Sequence, residues 1–233
     1  MSPLPTRMAD HWWQRPGRLP GRELYHWHML FHDQPEVHEL AAMAQQRLAG
    51  LPGLDMVPRR WLHLTTFIVG FADEIPRGRI ETMAAEARRG LAAIAPIPVT
   101  LGRVLYHPQA IALALEPLGA LDPVLDAVRA ATRAAGCEGR TDTNPWIPHI
   151  SVAYSHACGP AAPIIEALGR WLPKTEITLG SISLVAQTQV GSSWQWRQTA
   201  ELQLSGTSVT PSPSPDDAAS EPVHAPGHWW WRG

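Results

Sequence analysis

A chain of 233 residues, 45% of them hydrophobic, can bury one sizeable core or two small lobes that share one. Charged residues make up 17% and the net charge is -2, which excludes the broad basic face needed to grip a long nucleic-acid duplex and leaves room for a nucleotide or a single RNA end. The two cysteines, Cys137 and Cys158, have neither metal-ligand spacing nor disulfide-framework density, and no apolar run reaches membrane-span length, so a soluble cytoplasmic protein with reduced thiols is expected.

Residues 1–22 hold four prolines, no sustained apolar period and no apolar segment of a secretory signal, and are expected to be disordered. Leu24 to Phe31 reads as a strand. Pro35 to Leu48 reads as a helix, with proline in its first turn and Val37, Leu40, Ala41, Ala44 and Leu48 at three- and four-residue steps. After the break at Leu51-Pro52-Gly53, Trp61 to Val69 is a strand and Ile80 to Ile94 a helix. Val99 to Tyr106 and Ala110 to Leu115 form a hairpin around His107-Pro108-Gln109. Leu121 to Ala135 is a helix stopped by Gly136. Trp146 to Tyr154 is a strand, Ala162 to Trp171 a helix, and Glu176 to Thr188 and Trp194 to Leu204 are two long strands joined at Val190-Gly191-Ser192. From 206 onward a Ser/Thr/Pro-rich run leads into a tail, 206–233, that is expected to be disordered and ends in three adjacent tryptophans. Residues 23–205 are left as the folded domain.

The middle splits into two halves of similar element order, each opening with one short motif. The first is His63-Leu64-Thr65-Thr66 and the second His149-Ile150-Ser151-Val152. Residues i and i+2 of a strand share a face, so each histidine lies beside its own hydroxyl residue while Leu64 and Ile150 point into a core. A cleft receiving both motifs holds two imidazoles and two hydroxyls. That set suits displacement at phosphorus: one imidazole takes the proton of the attacking oxygen, the other protonates the leaving oxygen, and Thr65 and Ser151 donate hydrogen bonds to the non-bridging oxygens. One such triplet arises easily by chance. Two in equivalent strands of similarly ordered halves do not.

With those contexts, Trp61-Leu62-His63-Leu64-Thr65 and Pro148-His149-Ile150-Ser151, residues 23–204 resemble the 2H phosphoesterase superfamily, in its bacterial 2′-5′ RNA ligase-like or cyclic phosphodiesterase branch. The resemblance implies an α+β fold, bilobal with a pseudo-twofold axis, in which two antiparallel-rich sheets form a central cleft with helices outside. It implies His63 and His149 as the acid/base pair, Thr65 and Ser151 as phosphate ligands, and a metal-independent hydrolase that opens 2′,3′-cyclic phosphates or cleaves 2′-5′ linkages. No metal or cofactor is expected. The expected partner is a nucleotide or RNA-end phosphodiester, the chain being a monomer that engages neither membrane nor long duplex.

Three further residues are candidates for substrate contact. Tyr154 lies an odd step from Ser151, so it reaches the same face only if the strand bulges. Trp146 precedes the second motif and can stack on a base, and His28 shares a strand face with His26. Arg103 and Arg140 are weaker phosphate candidates. Three other readings stand beside the phosphodiesterase: a nucleotide or RNA-end binding module with little turnover, a 2′-5′ RNA ligase, and a metal-dependent hydrolase built on His26 and His28 with the motif histidines.

Overall fold

The structure is a computed structural model and describes residues 4–12, 21–140 and 146–207. Helices form where apolar residues recur at three and four positions and turn that stripe inward. Helix α1 (Pro35–Leu48) buries Val37, Leu40, Ala41, Ala44 and Leu48, and α2 (Arg77–Leu91) buries Ile80, Met83, Ala87 and Leu91. Helix α3 (Asp122–Ala134) buries Val124, Leu125, Val128 and Ala131. Helix α4 (Ala162–Leu168) is ended by Gly169 at φ +75°, three residues before the sequence-based end at Trp171. The strands are β1 (Arg7–Met8), β2 (Leu24–Leu30), β3 (Leu54–Met56), β4 (His63–Phe71), β5 (Ile97–His107), β6 (Ala110–Ala114), β7 (His149–Ser155), β8 (Gly159–Pro160), β9 (Trp171–Leu179), β10 (Ser181–Val190) and β11 (Ser193–Gln203).

Two antiparallel sheets carry the architecture, ordered β11-β10-β2-β4 and β3-β7-β6-β5-β9. Helices α2 and α3 pack together and against the first sheet, while α1 and α4 pack together and α1 lies on the second. The result is an α+β fold of two lobes, each a sheet backed by a pair of helices. The lobes are not the sequence halves. The hairpin β5–β6, which follows the first motif strand β4, joins the sheet of the second motif strand β7. The hairpin β10–β11, which follows β7, joins the sheet of β4. Each half thus lends its hairpin to the other half's motif strand, and neither lobe closes without both.

Several expectations are revised. The single strand at Glu176 to Thr188 is two, β9 and β10, broken at Gly180 where the chain passes from one sheet to the other. Strand β9 starts at Trp171, earlier than its composition suggests, because it is an edge strand that tolerates Pro173, Lys174 and Glu176. Strand β7 starts at His149 rather than Trp146.

The N-terminal segment 1–22 is not uniformly unstructured. Residues 4–12 dock: β1 pairs with β8, Ala9 N donates to Pro108 O (2.7 Å), His11 N donates to Ser155 O (2.8 Å), and Met8 is 4% exposed. Composition missed this because unpaired backbone on β7 and the β5–β6 turn supplies the order, not the segment's own periodicity. The C-terminal tail from 208 lies outside the described residues.

Candidate active site

Strands β4 and β7 are the two that face each other across the lobes. Arg140 N donates to Ile68 O (2.9 Å) and the Trp146 indole N–H donates to Thr65 O (3.1 Å), so the approach to β7 is tied to β4 at two points. Gly139 sits between these ties at φ +72°, and a Cβ there would lie 2.3 Å from the Phe67 ring, so only glycine fits.

Both motif strands are irregular at the same place. Opposite β2, Thr65 pairs with His28 and Phe67 with Trp27, leaving Thr66 as an extra residue. Opposite β6, Ser151 pairs with Ala112 and Ala153 with Ile111, leaving Val152 as an extra residue. In each strand the residue after the motif hydroxyl is a β-bulge, which reverses the alternation beyond it. The face that carries His149 and Ser151 therefore also carries Tyr154. Tyr154 and Ser151 share a side-chain hydrogen bond, and burial pushes the Tyr154 phenol up to about 12. The β6 residues opposite His149, Ser151 and Tyr154 are Ala114, Ala112 and Ala110, so this part of the sheet is floored with methyl groups that leave room for the site side chains.

The two histidines are held alike. His63 Nδ1 is 2.9 Å from Trp61 O and His149 Nδ1 is 2.7 Å from Ile147 O, in each case the carbonyl two residues earlier. A neutral ring that donates from Nδ1 keeps its lone pair on Nε2. Burial lowers both imidazoles to about 4, and the charge of His63 adds to the lowering at His149, which places the two in one electrostatic environment.

The other candidates separate into those at the cleft and those behind it. His28 is fully buried, its ring centroid 4.5 Å from that of His63 and its Nε2 2.5 Å from Gln187 Oε1. Placed there it backs the His63 ring, which corrects the expectation of direct substrate contact. Desolvation, with His63 and His26 beside it, holds its pKa well below the ordinary value. His26 follows at 5.1 Å from His28, and the rings lie tilted side by side. Among the described residues no three His, Cys, Asp or Glu side chains converge as metal ligands. The Trp146 indole N–H is committed to β4, so the ring braces the motif strand. Arg103 is paired with Glu116 (2.7 Å).

Sequence reasoning missed an aromatic wall. Trp196 lies edge-on to His63 (4.8 Å) and to Trp61 (4.7 Å), and a pocket lined by Met56, Val57, Trp61, His63, Tyr154 and Trp194 among others opens beside His63. The signal was present as period-two tryptophans, Trp194 and Trp196, which share the strand face that Gln187 brings against His28.

The model of the 2′-5′ RNA ligase superfamily matches residues 32–191. No curated protein matches the chain. Among solved structures the chain is similar to TT0787 of Thermus thermophilus (20% identity, TM-score 0.60) and to E. coli LigT complexed with 3′-AMP (15%, TM-score 0.61), each match covering 78% of this chain and 98% of the other. It is also similar to the MHV ns2 PDE domain (13%, TM-score 0.53, covering 70% and 98%). At these identities the structural likeness shows a common fold, with the same mixed α+β layout of helices on antiparallel sheets. With both motifs inside the matched region and that region spanning most of the chain, this protein belongs to the 2′-5′ RNA ligase superfamily.

Proposed function

We propose that the chain is a metal-independent phosphodiesterase of the two-histidine type, opening 2′,3′-cyclic phosphates on nucleotides or RNA ends, or cleaving 2′-5′ linkages. The observation that carries this reading is the matched pair of imidazoles, each fixed through Nδ1 by the carbonyl two residues earlier, on two strands that meet across one cleft.

The chemistry follows from that pairing. One neutral imidazole takes a proton from water through Nε2 as the water oxygen bonds to phosphorus. The P–O bond to the 2′ or 3′ oxygen breaks, and the other imidazole, protonated, delivers its proton to that oxygen. One proton is gained and one lost, so the pair is reset by a single exchange with solvent. Burial disfavours imidazolium in the empty cleft, and an anionic phosphate between the rings supplies the charge that stabilises it. Thr65 and Ser151 donate to the non-bridging oxygens. Tyr154, donating to Ser151 Oγ, leaves the serine proton free for the phosphate.

LigT of E. coli has been solved with 3′-AMP, a nucleoside monophosphate of the kind that ring opening leaves, and this supports a nucleotide substrate here. By microscopic reversibility the same groups join a 2′-hydroxyl to a cyclic phosphate, which makes ligation the reverse run of one site rather than a separate function.

The test is incubation with 2′,3′-cyclic nucleotides and with 2′-5′ and 3′-5′ dinucleotides in EDTA, with products separated by chromatography. Consumption of a cyclic phosphate or a 2′-5′ dinucleotide is expected, with a loss of about 100-fold or more in His63→Ala and in His149→Ala. Activity that vanishes in EDTA and returns with metal, or near wild-type turnover in either variant, overturns the proposal.

A further inference from the structure

The N-terminal segment 4–12 lies before the region that matches the family, yet it ends at the pocket beside His63. His11 stacks on Tyr154, with ring centroids 4.2 Å apart and planes 22° apart, and its Nε2 accepts from the Trp194 indole N–H (3.0 Å). Trp12 packs edge-on to Tyr154 (5.2 Å) and tilted on Trp194 (5.6 Å), and its own N–H donates to Asp55 Oδ2 (2.8 Å). Tyr154 belongs to one lobe and Trp194 to the other. The segment is therefore a strap that holds the two aromatic walls at a fixed separation.

The chemistry of the pocket says what it takes. Its described lining is Met56, Val57, Pro58, Trp61, His63, Tyr154, Ser192, Ser193 and Trp194, with apolar faces and hydroxyls but no carboxylate, ammonium or guanidinium. Such a lining does not suit a second phosphate and suits a flat, uncharged ring. The indole N–H of Trp61 is buried and has no partner among the described residues, so a ring acceptor would satisfy a donor otherwise left unpaired. His63 forms part of the wall, so a group seated there is continuous with a phosphate at the motif histidines.

We infer that this pocket is a nucleobase subsite whose walls are set by the strap, with His11 and Trp12 as positioning residues acting through Tyr154 and Trp194. The inference rests on the cleft being a phosphate site, as in the proposed function, and not on that site's turnover. Adenosine 3′-monophosphate carries the base and glycerol phosphate lacks it, so their ratio of affinities isolates the subsite.

Calorimetry with both ligands is the experiment, on the full chain, on His11→Ala and on His11→Phe. The wild type should prefer the nucleotide by about ten-fold or more, the scale of one base–aromatic stack. His11→Ala should lose most of that preference while glycerol phosphate binding stays within about two-fold. His11→Phe, which keeps the stack on Tyr154, should retain it. Equal affinity for both ligands in the wild type overturns the inference, as does a preference that survives His11→Ala. A parallel loss of both ligands in His11→Ala makes His11 a folding residue and also overturns it. Turnover of cyclic phosphates is scored separately: intact preference without turnover refutes the phosphodiesterase and leaves the subsite standing.

Discussion

Acidification should weaken this fold through the same two imidazoles that are proposed to act on phosphate. Both are held at about 4 against an ordinary 6.5, burial being the main cause. The unfolded chain therefore binds protons that the folded chain refuses. Stability from this source is complete above the unfolded value and is lost as pH falls toward the folded value, so it rises with pH across the window from 4 to 6.5. Between pH 7 and pH 5 each ring should cost about 2 kcal/mol, at about 1.4 kcal/mol per pKa unit, and the pair about 4 kcal/mol. Against a total of about 5–15 kcal/mol that is a large fraction. His28 and His38 are shifted in the same direction and add to the trend, while carboxylates stay ionised in this range and do not obscure it. Urea midpoints at pH 7, 6 and 5, followed by tryptophan fluorescence, measure the loss. His63→Gln and His149→Gln should each flatten the slope by about half. A fall below about 1 kcal/mol in the wild type, or variants with an unchanged slope, would refute the claim that the rings are buried and neutral.

Three further perturbations probe the geometry around the site. Tyr154→Phe removes the partner of the Ser151 hydroxyl and should lower turnover of the true substrate about three- to ten-fold with the fold intact; steady-state kinetics checks this. Ala112→Leu adds three carbons to a buried position directly opposite Ser151, so it should cost about 1–3 kcal/mol in urea melts and suppress activity beyond that loss. Thr66→Val replaces a buried hydroxyl that has no partner among the described residues with a methyl of the same shape, and should raise stability by about 1 kcal/mol without changing kcat; a destabilised variant would mean that the hydroxyl is satisfied.

The parts of this molecule that were legible in its sequence are those whose cause is local. The apolar steps of α1 and α3 announce their helices because the stripe that is buried is the stripe that is written. The motifs were legible because His and hydroxyl two apart share a face in any strand. The exchange of hairpins between lobes was not, since nothing within β5–β6 or β10–β11 records which sheet it will extend. Strands β1, β3 and β8 are too short for a period and exist because a neighbouring edge supplies partners. His28 illustrates the limit differently. Its strand face was readable, but its depth behind His63 depends on Gln187 and Trp196, which arrive from far along the chain.

The bulges show why the side chains around the phosphate need not follow the symmetry of the backbone. Placed directly after each hydroxyl residue, they turn the fifth residue after each histidine back toward the cleft. At that position β7 carries Tyr154 and β4 carries Ile68. The two histidines and two hydroxyls are thus related by the pseudo-twofold, and the next residue out is not. Tyr154 anchors Ser151, faces the pocket and receives the strap through His11, whereas Ile68 offers only an apolar wall whose carbonyl is tied to Arg140. A phosphate held near the axis meets nearly the same donors from either side, so it cannot orient a substrate by itself. The orientation has to come from what surrounds it. Every observed device for holding a ring, namely Trp61, Tyr154, Trp194 and the strap, lies on the Tyr154 side. A nucleotide would therefore place its base there and its scissile phosphate between the two histidines, which fixes which imidazole meets the leaving oxygen without any difference in the histidines themselves.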